Sequence, residues 1–230
     1  MTSVIFPAAG VGKRMHAGQN KVFMEVAGLP VLVRSLMAFA TCPGIGQLIV
    51  AIGSADIDRA RSLLNSITGL GKCVVVEGGS ERQYSIRNAM KVLSDDADIV
   101  LVHDAARPLV SRKTIEAVKS GAIKYGACIA AVPEKNTIKV VDDGLVVATP
   151  DRSRLWAVQT PQGFRRDILE EAYKKAEEDG FLGTDDASLV ERLGIGVHAI
   201  MSDYSNIKLT TPEDIPIAES ILARRQEEKS

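Results

Sequence analysis

Three features of the sequence predict an α/β fold with a mostly parallel sheet and helices on both faces. Short apolar runs alternate with amphipathic helical stretches, the runs end in loops of small residues, and one segment breaks the alternation with a hairpin pattern. With 230 residues and 46% apolar content there is ample material for a core. The chain 1–230 is read as one domain, with 133–156 as a projecting β-hairpin arm. Its 28 basic and 29 acidic residues leave a net charge of −1, so no global field draws it to nucleic acid. No run approaches the ~18 apolar residues of a membrane span, and the first residues lack the basic and apolar regions of a secretory signal. Cys42, Cys73 and Cys128 are widely spaced, which suits reduced thiols in a cytoplasmic protein and not a zinc site.

The first apolar run, Val4-Ile5-Phe6, has the length of a buried strand. It opens into Pro7-Ala8-Ala9-Gly10-Val11-Gly12, followed by Lys13, Arg14 and, further on, Lys21. Small side chains leave the backbone N–H groups open to an anion that the cations would neutralise, so the stretch suits phosphate. It is neither a P-loop, because Arg14 stands where Ser or Thr is needed, nor a dinucleotide fingerprint, because Met15 occupies the third glycine position. The same residues also suit an ordinary strand-to-helix loop with solvated cations. Val31 to Phe39 reads as a helix, Leu48 to Ile52 as a strand, Asp56 to Leu64 as a helix and Val74 to Val76 as a strand. After Gly78-Gly79, Ser80 and Gln83 form a capping-box pattern for the next helix. Ile99 to Val102 is a strand, Thr114 to Ala122 a helix and Ala127 to Val132 a strand. In such sheets ligands bind beyond the carboxyl ends of the strands at the switch point, which points to the loops starting at Pro7, Gly78 and His103.

The loop Val102-His103-Asp104-Ala105-Ala106-Arg107-Pro108 puts an ionisable cluster at a strand end. Asp104 there suits Mg²⁺ or a ribose hydroxyl; Arg107 suits an anion or a pairing with Asp104, and a purely structural network is the bland alternative. His103 reads as structural. Thr137-Ile138-Lys139-Val140-Val141, an Asp142-Asp143-Gly144 turn, and Leu145-Val146-Val147-Ala148-Thr149 form the hairpin. Two strands alone are marginal in water, so its apolar residues call for a second subunit. Arg152 after the arm reads, on its own, as a solvated surface charge. A helix over Asp167 to Glu178, a helix capped at Thr184-Asp185-Asp186, a strand from His198 to Met201 and a helix starting at Thr211-Pro212 complete the chain. Lys208 lies just before that last helix, where phosphate would be welcome.

Six motifs now stand in order: Pro7-Ala8-Ala9-Gly10-x-Gly12-x-Arg14-Met15 with Lys21, Gly78-Gly79-x-Glu81-Arg82, His103-Asp104-Ala105-Ala106-Arg107-Pro108, Thr160-Pro161-Gln162, Thr184-Asp185 and Asn206-Ile207-Lys208. In this the chain resembles the 2-C-methyl-D-erythritol 4-phosphate cytidylyltransferase family of the non-mevalonate isoprenoid pathway, over nearly its whole length. The resemblance implies a Rossmann-like nucleotidyltransferase core, Mg²⁺, and a homodimer whose hairpin arms embrace. It implies transfer of CMP from CTP to methylerythritol phosphate, a reaction that asks the protein for positioning and charge neutralisation. Arg14, Lys21 and Lys208 match the catalytic cations. Pro7, Ala8, Ala9, Gly10, Gly12 and Lys13 match the nucleotide loop, Gly79, Ser80 and Ser85 the base side, and Asp104 with Ala105 the ribose and metal. Arg107, Thr137, Arg152, Thr160, Thr184 and Lys208 match the acceptor site. Thr137 and Arg152 would arrive from the partner subunit.

The chain departs from the family pattern at Asn20-Lys21-Val22, where Pro-Lys-Gln is frequent, at Ser80, where an Asp commonly reads cytosine, and at Asn136, often an Asp. Ser80 bears on the choice of CTP over UTP. Ribitol-5-phosphate cytidylyltransferase is the neighbouring alternative; it commonly has Gly-Gly after the first strand and Val within Asp-Ala-x-Arg-Pro, where this chain has Ala8-Ala9 and Ala106. A sugar-1-phosphate nucleotidyltransferase is a more distant option. A catalytically silent nucleotide-binding regulator is the alternative from another class, and the joint presence of Arg14, Lys21, Asp104 and Lys208 counts against it.

Overall fold

Alternation of side chains along the central strands divides the core in two. The computed structural model describes residues 1–10 and 20–227. In chain order its elements are β1 (Thr2–Pro7), β2 (Glu25–Val26), β3 (Leu29–Pro30), α1 (Val31–Ala40), β4 (Ile45–Ile52), α2 (Ile57–Asn65), β5 (Cys73–Glu77), α3 (Arg82–Met90) and β6 (Ile99–Val102). There follow α4 (Arg112–Tyr125), β7 (Ala127–Pro133), β8 (Val140–Asp142), β9 (Leu145–Ala148), β10 (Trp156–Arg165), α5 (Arg166–Glu178), α6 (Asp186–Glu191), β11 (His198–Met201) and α7 (Asp214–Glu227). Val4, Phe6, Leu48, Val50, Ile52 and Leu101 point to one face, where α1, α2 and α4 bring Leu36, Phe39, Leu64, Ile115 and Val118. Ile5, Ile49, Ala51, Val100 and Val102 point to the other, under Ile86 of α3, Leu169 and Tyr173 of α5 and Leu189 of α6. The period of two on strands buried on both faces produces this division.

The main sheet runs β11-β7-β10-β6-β1-β4-β5. β1 is parallel to β4 and β6, β4 to β5, and β11 to β7. From β1 the chain winds outward through β4 and β5, then returns to β6 on the other side, so the switch point lies at the carboxyl ends of β1 and β6. β10 is inserted antiparallel between β6 and β7; it is an element that the sequence pattern did not reveal. Pro161 and the polar Gln159, Thr160 and Gln162 interrupt its apolar run, yet all four are buried. Residues 159–161 fall in a register shift against β7, where Asn206 Nδ2 donates to Gln159 Oε1 and Thr160 O, and Gln162 bonds Asp185 and the amide of Ala187.

The arm sequence forms a separate two-stranded sheet, with Asp142 opposite Leu145 and the turn residues Asp143 and Gly144 at φ 48° and 81°. Such positive φ values at both turn positions match the strand twist, which explains the Asp-Gly pair. Two expected helix starts shift. Ser80 is exposed and does not cap α3, whose N-cap position is Glu81 without a side-chain bond; the turn at Gly78-Gly79 delays the helix. α7 starts at Asp214, whose Oδ2 accepts from the amides of Thr210 and Thr211, so Pro212 sits in the preceding turn and not in the helix. No described helix is long and apolar enough to cross a membrane.

Candidate active site

The cleft at the switch point is lined by Pro7, Ala8, Ala9, Gly10, Lys21, Val22, Gly79, Ser80, Glu81, Arg82, Ser85, Asp104, Ala105, Ala106 and Lys208. Backbone bonds from neighbouring strands place its loops: Ala8 N donates to Ala51 O (2.7 Å), Gly78 N to Ile52 O (2.7 Å) and His103 N to Ile5 O (2.9 Å). A Cβ at Gly78 would lie 2.6 Å from that of Ala9, and one at Gly79 2.4 Å from that of Tyr84. Gly78 thus lets the β1 and β5 loops touch, and Gly79 lets the β5 loop fold back against α3. Ser85 fastens the second of these, accepting from Gly79 N (3.0 Å) and donating to Glu81 O (3.0 Å). Asn20 ties down the start of the Lys21 turn by donating to Ala8 O (2.9 Å).

Asp104 is the electrostatic centre. Its side chain is 11% exposed, with Lys208 Nζ at 2.9 Å from Oδ2, Arg82 Nε at 3.5 Å from Oδ1 and Arg107 Nε at 3.5 Å from Oδ2. Burial works to raise its pKa, but Lys208, Arg82 and Arg107 together hold it well below the usual carboxylate range. Behind it runs a chain of bonds. His103 Nε2 lies 3.1 Å from Arg107 O, an acceptor only, so Nε2 carries the proton; Nδ1 then accepts from Thr160 Oγ1 (3.1 Å), which accepts from Asp104 N (3.0 Å). Burial lowers the His103 pKa to about 4, so the ring is neutral at pH 7 and packs near Phe6 and Phe39. The structural reading of His103 holds.

The segment 206–209 delivers Lys208. Arg107 Nη1 donates to Asn206 O (2.7 Å), Asn206 Nδ2 to Thr160 O (2.8 Å), Leu209 N to Ala106 O (2.8 Å) and Lys21 Nζ to Leu209 O (3.0 Å). Of the residues singled out from sequence, Pro7, Ala8, Ala9, Gly10, Lys21, Gly79, Ser80, Ser85, Asp104, Ala105 and Lys208 meet in the cleft. Arg107 and Thr160 support it from behind. Thr184 is exposed in the loop before α6, and Thr137 and Arg152 are exposed on the hairpin segment, where Arg152 Nη1 donates to Lys135 O of its own chain. Gly12, Lys13 and Arg14 lie outside the described residues. Arg82 is a cleft cation that the site reading passed over, although it closes the Gly78-Gly79-x-Glu81-Arg82 motif. Among the described residues no three acidic, His or Cys side chains converge on a metal site.

A cation-walled cleft at the switch point of such a sheet suits an α/β enzyme that handles the phosphates of a nucleotide. The family profile described as 2-C-methyl-D-erythritol 4-phosphate cytidylyltransferase matches residues 2–224. An enzyme of that name from Bacillus mycoides is 48% identical over 96% of this chain and 98% of its own, and one from Symbiobacterium thermophilum is 47% identical over 96% and 92%. The solved 4-diphosphocytidyl-2C-methyl-D-erythritol synthase of Anaerococcus prevotii superposes with a TM-score of 0.86 at 32% identity, covering 97% of this chain and 98% of that one. The Thermus thermophilus cytidylyltransferase gives 0.79 at 33%, covering 95% and 97%. The chain belongs to the 2-C-methyl-D-erythritol 4-phosphate cytidylyltransferase family.

Proposed function

We infer that the chain transfers CMP from CTP to 2-C-methyl-D-erythritol 4-phosphate. A phosphate oxygen of the acceptor attacks the α-phosphorus, the bond to the bridging oxygen of the β-phosphate breaks, and pyrophosphate leaves. Family membership supports the reaction; the observation that carries the assignment of the site is Asp104 held among Lys208, Arg82 and Arg107 in a cleft that also presents Lys21. In this reading Lys21, with Arg14, neutralises charge that grows on the phosphates in the transition state. Lys208, whose side chain is 41% exposed, exchanges part of its pairing with Asp104 for substrate phosphate. Ala8 to Gly10 offer backbone, and Gly79, Ser80 and Ser85 the base side. Since its hydroxyl bonds both His103 and Asp104 N, Thr160 acts by setting Asp104, while Thr184 and Arg107 border the acceptor.

Mg²⁺ suits this donor set: it commonly takes one or two carboxylates and completes its shell with water and substrate phosphates. Asp104 would hold it, and the ion would add charge neutralisation at the phosphates. The hairpin leaves Leu145 71%, Val146 53% and Val141 50% exposed, apolar area that supports a homodimer in which Thr137 and Arg152 complete the partner's site. Pyrophosphate release from CTP and UTP, each with methylerythritol phosphate or ribitol phosphate, tests the assignment. Turnover is expected with CTP and methylerythritol phosphate. A preference for ribitol phosphate would favour the neighbouring enzyme, and no turnover with any pair would favour the silent regulator.

A further inference from the structure

Arg82 connects the cleft to a buried acid at the start of α6. Its Nε approaches Asp104, while its Nη1 lies 2.8 Å from Asp186 Oδ2. Asp186 is 1% exposed, and its other oxygen accepts from Tyr173 Oη at 2.5 Å. Burial and the Asp186 charge push the Tyr173 pKa well above its ordinary value, so the hydroxyl remains a donor. Burial disfavours the charge on Arg82, but Asp186 and Asp104 more than offset this and raise its pKa. A buried carboxylate is costly unless it is paired and hydrogen-bonded. Among the described residues Asp186 meets that condition through Tyr173 and Arg82, and of these two Arg82 reaches the cleft. The neighbouring Gln83 reinforces the link, accepting from Gly183 N (2.9 Å) and donating to Phe181 O (3.0 Å).

We propose that Asp186 and Tyr173 are positioning residues that hold Arg82 as a fixed cation in the wall of the nucleotide cleft. Asp186 Oδ2 holds the guanidinium at Nη1 as an ion pair, which leaves Nε turned to Asp104. Without Asp186, Arg82 loses its shortest ion pair and with it the fixed place of its guanidinium in the wall. The inference rests on reading the cleft as the CTP site, so the effect falls on CTP and not on the acceptor.

Arg82→Gln, Asp186→Asn, Tyr173→Phe and the double variant R82Q/D186N test it, with Tm measured alongside kinetics. With the buried end of this ion pair neutralised, Asp186→Asn should lower kcat/KM for CTP about tenfold. The rise should be in KM for CTP, with KM for the acceptor nearly unchanged. In the Arg82→Gln background Asp186→Asn should cost no more than about twofold, because its target is gone. Tyr173→Phe removes only a hydroxyl and should shift KM for CTP in the same direction by roughly threefold, which keeps the test open if Asp186→Asn folds poorly. Folded Asp186→Asn or Tyr173→Phe with wild-type KM for CTP, or losses that simply add in the double variant, would overturn the proposal. Absence of turnover in the wild-type enzyme would instead refute the functional reading and the proposal with it.

Discussion

Replacing Asp104 by Asn keeps its shape and removes the one charge that binds three cations together. At an effective dielectric of ~20, opposite charges 4 Å apart attract by about 4 kcal/mol before desolvation is counted. Breaking a buried pair by removing one partner costs about 3–5 kcal/mol. Lys208 is 41% exposed and Arg82 30%, so solvent screening favours the lower end, about 3 kcal/mol. In a chain of this size each 1 kcal/mol moves Tm by about 2–4 °C, so Asp104→Asn should melt roughly 6–12 °C below wild type at pH 7. The pH dependence has a definite sign. The folded-state pKa of Asp104 lies below its ordinary 3.8, so its stabilisation is present above that value and is lost as pH falls toward the folded pKa. Calorimetric melting of both proteins from pH 7 downward should show a constant gap to about pH 5 and a narrowing gap below about pH 4. A shift under about 2 °C at pH 7, or a gap that widens on acidification, would refute the account of Asp104 as the clamped centre of the cluster.

Lys21→Ala should cut pyrophosphate release by ~100-fold or more with a smaller effect on CTP binding; turnover within a few-fold of wild type would make Lys21 a bystander. Ser80→Asp should sharpen the preference for CTP over UTP, and an unchanged ratio would move base reading to the backbone at Gly79 and to Ser85. His103 has a pKa of about 4 when folded against 6.5 as a free side chain, so the unfolded state takes up its proton first. Its contribution to stability should be complete above about pH 6.5 and fall progressively toward pH 4 in denaturant titrations; His103→Gln should flatten that limb, and an identical slope would show that another group governs it. Mixing inactive Lys21→Ala and Arg152→Ala subunits should restore roughly a quarter of wild-type activity, because random exchange makes half the dimers mixed and each has one intact site. No recovery despite measured exchange would mean that Arg152 serves its own chain.

Local pattern in the sequence determines most of the architecture. The period of two in Val4 to Phe6 and Leu48 to Ile52, set against the helical spacing between them, encodes which side chains each element must bury. Breaks at Pro7, Gly78 and His103 then mark the strand ends where a parallel sheet gathers its ligand loops, and the Asp143-Gly144 pair fixes its own turn. Tertiary structure alone decided three things. β10 runs antiparallel through a Pro161-broken, polar stretch, because β7 pairs with it on both sides of the break, β6 beyond it, and Asn206, Asp185 and the amide of Ala187 bond its buried polar groups. Ser80 yields the helix start to Glu81, since close approach of Ala9 to Gly78 sets where the turn can end. Asp104 meets Lys208, and Arg82 meets Asp186, across about a hundred residues of chain. A charge in the sequence states only that it needs an opposite partner or water. Which partner it finds depends on how the whole chain closes, and no local period records that.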